Sequence, residues 1–355
     1  RVSVSLGANY AQLMENTGPN GSATFGGRFG AEQKWGLLLS GSASETKRGA
    51  DNIEPEYDDG DLAELQFRDY TTDRERYGLT ADIDFRASLT SNYYLRGLWT
   101  NYIDTEYRRA KTMVVEDDEL ERAIKDRTQE SLINSISFGG ENNLGESWVL
   151  DYRLMYNKSS EETLNQLTSA FVQEDIIYET NVGGGVIDPN NIQAIPLNES
   201  AADLEFDEIE DQTKTADEED WVGAINFTKG FYKNAGFSGL WKFGAKARSK
   251  TKEQNYDVYD LESEEDFSMA DVLSDWDSET PFFNGNYGDQ IIPFFDYNEM
   301  RDLVNSGAFE SERNLEEDLA DFDITEDTLA AYALGEFILG ANTSLMGGVR
   351  VESTK

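Results

Sequence analysis

The chain has 355 residues, of which 70 are acidic and 30 are basic, so its formal net charge is −40. It contains no cysteine and no histidine, which excludes disulfides, thiolate nucleophiles, serine–histidine–aspartate triads and H-E-x-x-H zinc enzymes. The negative charge argues against nucleic acid as a partner, because two polyanions repel each other. Aromatic residues make up 12% of the chain, which predicts a folded protein rather than a disordered one.

Apolar and polar residues alternate along many segments, and this period of two predicts β-strands. The clearest case is residues 77–87, where the odd positions are apolar and the even positions are small or charged. In chain order, residues 1–6 are already expected to be structured, and further strands are predicted at residues 148–156, 241–248 and 345–352. The sequence contains no run of 18 apolar residues that would form a transmembrane helix, but a barrel strand needs only about 9–11 residues with alternate ones apolar.

Short turns rich in Gly, Asn and Ser join these strands in pairs. They are predicted at residues 30–34, 89–92, 142–147, 232–236 and 340–344. The other connections are long and acidic, and we expect them at about 48–63, 110–128, 159–217 and 251–325. Tight turns on one side and long loops on the other are typical of outer-membrane barrels.

Aromatic residues are frequent beside the short turns. They include Trp35, Tyr93, Tyr94, Trp148, Phe231, Tyr232 and Phe237. This placement is typical of the aromatic girdle at a lipid–water boundary, but it is equally typical of core residues at strand starts. The two interpretations stay open at this point.

The fold prediction is all-β: a transmembrane, antiparallel, up-and-down β-barrel. The strand count is about 11, whereas bacterial single-chain barrels have even numbers of strands, so we expect a partial barrel. Residues 1–355 are predicted to form one such domain, with the long acidic loops on the extracellular side.

Three segments of the chain resemble the barrel of the TonB-dependent outer-membrane transporters of Gram-negative bacteria. They are residues 76–85 with 93–97, residues 243–248, and the hairpin of residues 328–337 and 345–354. The resemblance implies a barrel of about twenty-two strands and an N-terminal plug domain, and we expect this chain to begin after the plug and to end near mid-barrel. It also implies active uptake, powered by the TonB energy-coupling protein through the missing N-terminal region.

The last long loop carries many aromatic residues. Trp276, Phe282, Phe283 and Tyr287 are the candidate substrate-binding residues, because rings stack on sugars and loops rarely hold so many rings without packing or binding something. The alternative is that these rings form a small core within the loop. No catalytic residue, metal ligand or cofactor is predicted, although residues 51–61 are oxygen-rich enough for structural Ca²⁺.

The sequence therefore predicts a nutrient receptor of the outer membrane rather than an enzyme. Its acidic loops favour an oligosaccharide, a peptide or a cationic solute, because they repel anions. The expected partners are outer-membrane lipid, lipopolysaccharide, TonB and a surface lipoprotein, with no nucleic acid. Two alternatives remain: a soluble secreted all-β adhesin or carbohydrate-binding module, and a passive porin.

Overall fold

The computed structural model describes residues 1–181, 192–234, 236–263, 266–276, 282–285, 287 and 291–355. The strands found within these residues are β1 (Val2–Ala11), β2 (Asn16–Phe29), β3 (Trp35–Asp58), β4 (Asp61–Ser88), β5 (Ser91–Val114), β6 (Glu119–Leu144), β7 (Trp148–Gln173), β8 (Tyr178–Thr180), β9 (Ala194–Pro196), β10 (Glu205–Asn234), β11 (Phe237–Ser263), β12 (Phe309–Arg313), β13 (Phe322–Leu339) and β14 (Thr343–Thr354). One α-helix, α1, covers Tyr297–Ser306, and short 3₁₀ helices cover Ala31–Gln33, Met269–Val272, Phe282–Gly285 and Glu317–Ala320.

Most of these strands form one antiparallel sheet of twelve strands. Its order is β1-β2-β3-β4-β5-β6-β7-β10-β11-β13-β14, and β12 pairs with β11 beside this path. The all-β, up-and-down antiparallel prediction is confirmed, and the path without β12 has eleven strands, in agreement with the predicted number. Over the described residues, β1 and β14 do not pair with each other, so the sheet has two open edges.

The central strands are much longer than a membrane crossing requires. β3 to β7, β10 and β11 contain between 24 and 30 residues each. At about 3.3 Å per residue this is roughly 80–100 Å, whereas a crossing takes about 9–11 residues. We call the part of each strand beside the short turns the turn half, which on β4 is residues 77–88, and the remainder the far half.

The predicted short turns are confirmed, but the structure differs from the predicted long loops. The hairpin of β3 and β4 closes at Asp59 and Gly60, both with positive φ, so most of residues 48–63 is strand. The strands β5 and β6 likewise leave only residues 115–118 to connect them. The two long connections are residues 174–204, called insertion 1, and residues 264–321, called insertion 2.

Charged side chains of these strand segments pair across the sheet. Arg68 on β4 lies 2.7 Å from Glu54 on β3, and Arg74 on β4 lies 2.7 Å from Asp104 on β5. Opposite charges on neighbouring strands stabilise a sheet, and the backbone groups are satisfied by the strand ladder itself. A high density of acidic residues is therefore compatible with strand as well as with loop.

The hydrophobic core lies at the far half, where the two insertions cover one face of the sheet. The strands contribute apolar side chains that include Leu65, Phe67, Met113, Leu120, Ile124 and Phe171. The insertions contribute Ile176, Ala194, Met269, Val272, Phe294, Phe295 and Met300, among others. The far half is thus a two-layered unit, while the turn half is a single layer over the residues that the structure describes.

Candidate functional site

One face of the turn half carries a continuous apolar surface, which we call the apolar band. On β4 it occupies the odd positions from Tyr77 to Phe85. Cross-strand pairing continues it through Leu39, Leu95, Trp99, Ile136, Phe138, Leu154, Ile225 and Phe243. Eight residue steps span roughly 26 Å along a strand, or roughly 20 Å at a tilt of about 40°, which is close to the apolar belt of about 25 Å on membrane barrels.

No described part of the chain covers the apolar band. Leu79 is 57% exposed and Trp241 is 49% exposed. On β11 the burial order is inverted, because Trp241, Phe243, Ala245 and Ala247 are exposed whereas Lys242, Lys246, Arg248 and Lys250 are half-buried. A sheet that is stable in water shows the opposite order, since burial of apolar side chains is what stabilises it.

Along one face of β4, the side chains change from apolar to polar and back to apolar. Odd positions 77–85 are apolar and uncovered, odd positions 69–75 are polar, and Leu65 and Phe67 are apolar and fully buried. The pairing of β4 with β5 has no register shift between Glu64 and Arg86, so all these side chains share one face. The insertions therefore cover the apolar residues of the far half, whereas no described residue covers those of the turn half.

A shallow groove of about 800 Å³ crosses the apolar band. It forms where small residues, Gly41, Ala81 and Gly97, lie between larger apolar ones such as Leu79 and Ile136. The groove shows that the band has room for side chains larger than those present at its middle.

The opposite face of the turn half carries hydrogen-bonded charged groups. The guanidinium of Arg28 on β2 reaches across Gly36 and donates to both carboxylate oxygens of Asp84 on β4, at 2.6 and 3.0 Å. A Cβ on Gly36 would lie 2.1 Å from the Asp84 carboxylate, so only glycine leaves space for this contact. A second network of Ser135, Asn157, Asp220 and Arg248 crosses four strands. These charged groups are thus paired with partners on nearby strands.

The aromatic residues predicted beside the short turns lie at the strand ends of the turn half. Trp35 stacks on Phe85 with ring centroids 4.3 Å apart, and Phe231 lies 5.4 Å from Phe237. Lys229 lies over the ring of Trp148 at 4.8 Å. The rings pack against one another along the end of the sheet rather than under a second layer of the described chain.

The four predicted substrate-binding residues all lie in insertion 2, but their environments differ. Phe282 is 2% exposed and Tyr287 is 3% exposed, and both rings pack on Phe67 at 5.4 and 5.1 Å. For these two the alternative interpretation, a small core of the loop, describes their position. Trp276 and Phe283 are half-buried and keep part of their surface open.

Two polar contacts hold the half-buried rings in place. The backbone N–H of Phe283 donates to the carboxylate of Asp51 on β3 at 2.9 Å. Arg109 on β5 lies 4.2 Å from the ring centroid of Trp276 and 3.6 Å from the carboxylate of Asp69. Burial raises the pKa of Asp69 to about 6, although Arg109 opposes the shift. Insertion 2 is therefore fixed to the sheet by groups whose charge depends on pH.

A buried ionic cluster joins both insertions to the strands. Arg122 on β6 is fully buried and donates to the carboxylate of Glu199 in insertion 1 and to the carbonyl of Ile291 in insertion 2. Lys111 on β5 lies 2.8 Å from the same carboxylate. Burial and the neighbouring Arg122 lower the pKa of Lys111 to about 7. Burial raises the pKa of Glu199, but the two cations outweigh it and hold the pKa below its usual value.

Sequence reasoning missed this cluster. The sequence feature that indicates this cluster is a cationic residue at a position whose strand face is otherwise apolar. Lys111 shares its strand face with Met113, and Arg122 shares its face with Leu120 and Ile124. A charge at such a position predicts a buried partner from elsewhere in the chain. The sequence does not identify that partner, because Glu199 lies 77 residues from Arg122.

An open cavity of about 870 Å³ lies at the end of the far half, between β11, α1 and β12. Its acidic lining consists of Asp266, Asp271, Glu299, Asp302 and Glu310. Its apolar lining consists of Phe267, Val272, Leu303, Ala308 and Phe309. A volume of this size is in the range of small-molecule sites, and the lining suits a solute with hydroxyl or cationic groups and an apolar face.

Among the residues that the structure describes, no group of three or more acidic side chains is arranged to hold a metal ion, which includes residues 51–61. No helix in the described ranges is both long and apolar enough to cross a membrane. Comparisons with protein-family models, with curated proteins and with solved structures found no match.

Proposed function

We propose that the chain forms part of the wall of a transmembrane β-barrel in the outer membrane of a Gram-negative bacterium. The observation that supports this most is the uncovered apolar band with its inverted burial on β11. In water such a surface would be unfavourable, at about 25 cal/mol for each Å² of apolar area, whereas lipid chains would bury it. The complete barrel is proposed to have about twenty-two strands, as in the TonB-dependent receptors, which would pair the open edges of β1 and β14.

In this proposal the turn half crosses the membrane and the far half stands outside the cell. The aromatic residues beside the short turns, such as Trp35 and Trp148, would then form the girdle at the periplasmic boundary. The polar odd positions 69–75 of β4 would lie at the outer boundary of the membrane, beside lipopolysaccharide. The lengths of the strands support this division, since they exceed a crossing by more than twofold.

The proposed activity is uptake of a nutrient, with an oligosaccharide as the favoured solute. The acidic cavity of insertion 2 and the half-buried rings of Trp276 and Phe283 are the proposed contacts for its hydroxyl groups and ring faces. Energy coupling would come from TonB through an N-terminal region outside this sequence, and a surface lipoprotein is a proposed further partner. No covalent chemistry is proposed.

Fractionation of the natively expressed protein tests the membrane assignment. We expect the protein to stay in the outer-membrane fraction after washes with high salt and with alkaline carbonate, and to be released by detergent. Release by salt or carbonate alone would contradict the proposal and favour the soluble adhesin. Uptake that persists without the TonB protein would instead favour the passive porin.

A further inference from the structure

Three cations meet on the polar face of the far half, at the centre of the sheet. Arg108 on β5 is directly opposite Lys125 on β6, and Arg127 on β6 is directly opposite Glu106 on β5, two residues along each strand. Directly opposed side chains share one face, with Cβ atoms about 4.5–5.5 Å apart. The insertions pack on the other face, where Lys111 and Met113 point. The three cations are partly exposed.

Two of these cations, Arg108 and Lys125, form no ion pair in the described part of the chain. Arg127 lies 3.5 Å from both Asp104 and Glu106. The side chains of Arg108 and Lys125 form no ion pair or hydrogen bond with any described residue. The Nε atoms of Arg108 and Arg127 are buried and have no hydrogen-bond acceptor among these residues.

This arrangement is unfavourable for the protein alone. Burial and the positive charges of Arg127 and Arg108 lower the pKa of Lys125, and they outweigh the opposite effect of Glu106 and Glu210. Like charges at directly opposed positions of a sheet are destabilising. The chain has 70 acidic residues, yet none of the described ones pairs with Arg108 or Lys125. Local conflicts of this kind are expected at functional or strained sites.

Hydroxyl groups flank the cations on the neighbouring strands. Tyr70 on β4 is directly opposite Arg108, and Thr168 on β7 is directly opposite Lys125. The row Tyr70, Arg108, Lys125 and Thr168 therefore presents donors from four adjacent strands on one face. An oxyanion would accept hydrogen bonds from these donors and neutralise the charge, and guanidinium groups bind carboxylate, sulfate and phosphate in bidentate geometry.

We propose that Arg108, Lys125 and Arg127 form a binding site for an oxyanion, with Tyr70 and Thr168 as flanking donors. The site runs against the expectation, drawn from the overall charge, that anions are excluded. It rests on these side chains alone and does not depend on the membrane assignment. Within a transport barrel it would select solutes that carry a carboxylate, sulfate or phosphate group, such as an acidic sugar.

Binding of inorganic sulfate to the detergent-solubilised, natively expressed protein tests the site. Calorimetry and thermal unfolding would be measured with sulfate and with chloride at equal ionic strength, for the native protein and for Arg108→Gln and Lys125→Gln. We expect saturable stabilisation by sulfate and at least about tenfold weaker binding in either variant. The matched control is Lys158→Gln, which removes a cation that is ion-paired with Glu219, and we expect it to bind sulfate like the native protein.

The unliganded variants distinguish a ligand site from a structural role. Without sulfate, Arg108→Gln relieves like-charge repulsion, so we expect a melting temperature equal to or above that of the native protein. A lower melting temperature together with unchanged sulfate binding would overturn the proposal, as would equal effects of sulfate and chloride on all proteins. Because these outcomes do not involve fractionation, they are independent of the test of the membrane assignment.

A second pair of probes identifies the source of the oxyanion. D-glucuronate and D-glucose differ by one carboxylate, so binding of glucuronate but not glucose, weakened in Lys125→Gln, would assign the site to an acidic sugar. Binding of sulfate without glucuronate would assign it to an inorganic oxyanion. Equal binding of glucuronate and glucose in all variants, with no sulfate binding, would contradict the site.

Discussion

Replacement of Ala81 with arginine would place a charge at the middle of the apolar band. Ala81 is four residues from either end of the odd positions 77–85, so in the proposed orientation it lies near the bilayer midplane. The groove beside Ala81 gives the longer side chain room, which removes steric overlap as a cause of destabilisation. Arginine at the midplane of a barrel's lipid face costs about 2–4 kcal/mol, which is roughly a 30- to 1000-fold change in the folding equilibrium.

The matched control is Thr80→Arg, one residue away and on the opposite face. Thr80 is exposed, and a charge on the polar face is expected to change stability by less than about 1 kcal/mol. Both variants of the natively expressed protein would be unfolded with urea in lipid vesicles and followed by tryptophan fluorescence. If Ala81→Arg and Thr80→Arg had the same free energy of unfolding as the unmodified protein, the apolar band would not face lipid.

Three further predictions concern the far half. Glu199→Gln removes the charge that neutralises buried Arg122, so we expect the free energy of unfolding to fall by about 3–5 kcal/mol, as measured by thermal unfolding. The control Glu179→Gln, at an exposed position of insertion 1, should lower it by less than about 0.5 kcal/mol. Equal melting temperatures of the two variants would refute this prediction. Phe67→Ala removes a fully buried ring under insertion 2 and should lower the free energy of unfolding by about 3–5 kcal/mol. We expect faster cleavage of insertion 2 in limited proteolysis, and an unchanged cleavage rate would refute the prediction. Burial raises the pKa of Asp69 from 3.8 to about 6, so between these pH values the folded protein keeps a proton that the unfolded chain releases. The free energy of unfolding should therefore fall by up to about 3 kcal/mol as the pH rises from about 4 to 6. Asp69→Asn should flatten unfolding curves measured across that pH range, and an unchanged slope would show that Asp69 is not responsible.

The turn half could be predicted from the sequence because its signals are local. Alternation in residues 77–87 predicted the strand and its two faces, and Gly, Asn and Ser predicted each short turn. Such patterns depend only on neighbours in the chain, so they survive without knowledge of the fold. Alternation does not determine whether the apolar face is buried, and it is the structure that shows Leu79 to be 57% exposed.

The far half could not be predicted because its structure depends on distant contacts. The acidic residues around Asp59 suggested a loop, but they continue two strands whose charges pair with Arg68 and other cations on neighbouring strands. The rings of Phe282 and Tyr287 suggested a sugar platform, but Phe67, more than 200 residues away, buries them. Local composition does not specify which strand face an insertion covers, so both interpretations were equally compatible with the sequence.

The environment of the apolar band can be measured directly with spin labels. The chain has no cysteine, so a single cysteine introduced at Leu79, Thr80, Lys242 or Phe243 would carry a nitroxide at one known site. In lipid vesicles we expect labels at Leu79 and Phe243 to be accessible to oxygen and shielded from a water-soluble nickel complex, and labels at Thr80 and Lys242 to show the reverse. Equal access of the nickel complex to all four positions would contradict the conclusion that the apolar band lies against hydrocarbon.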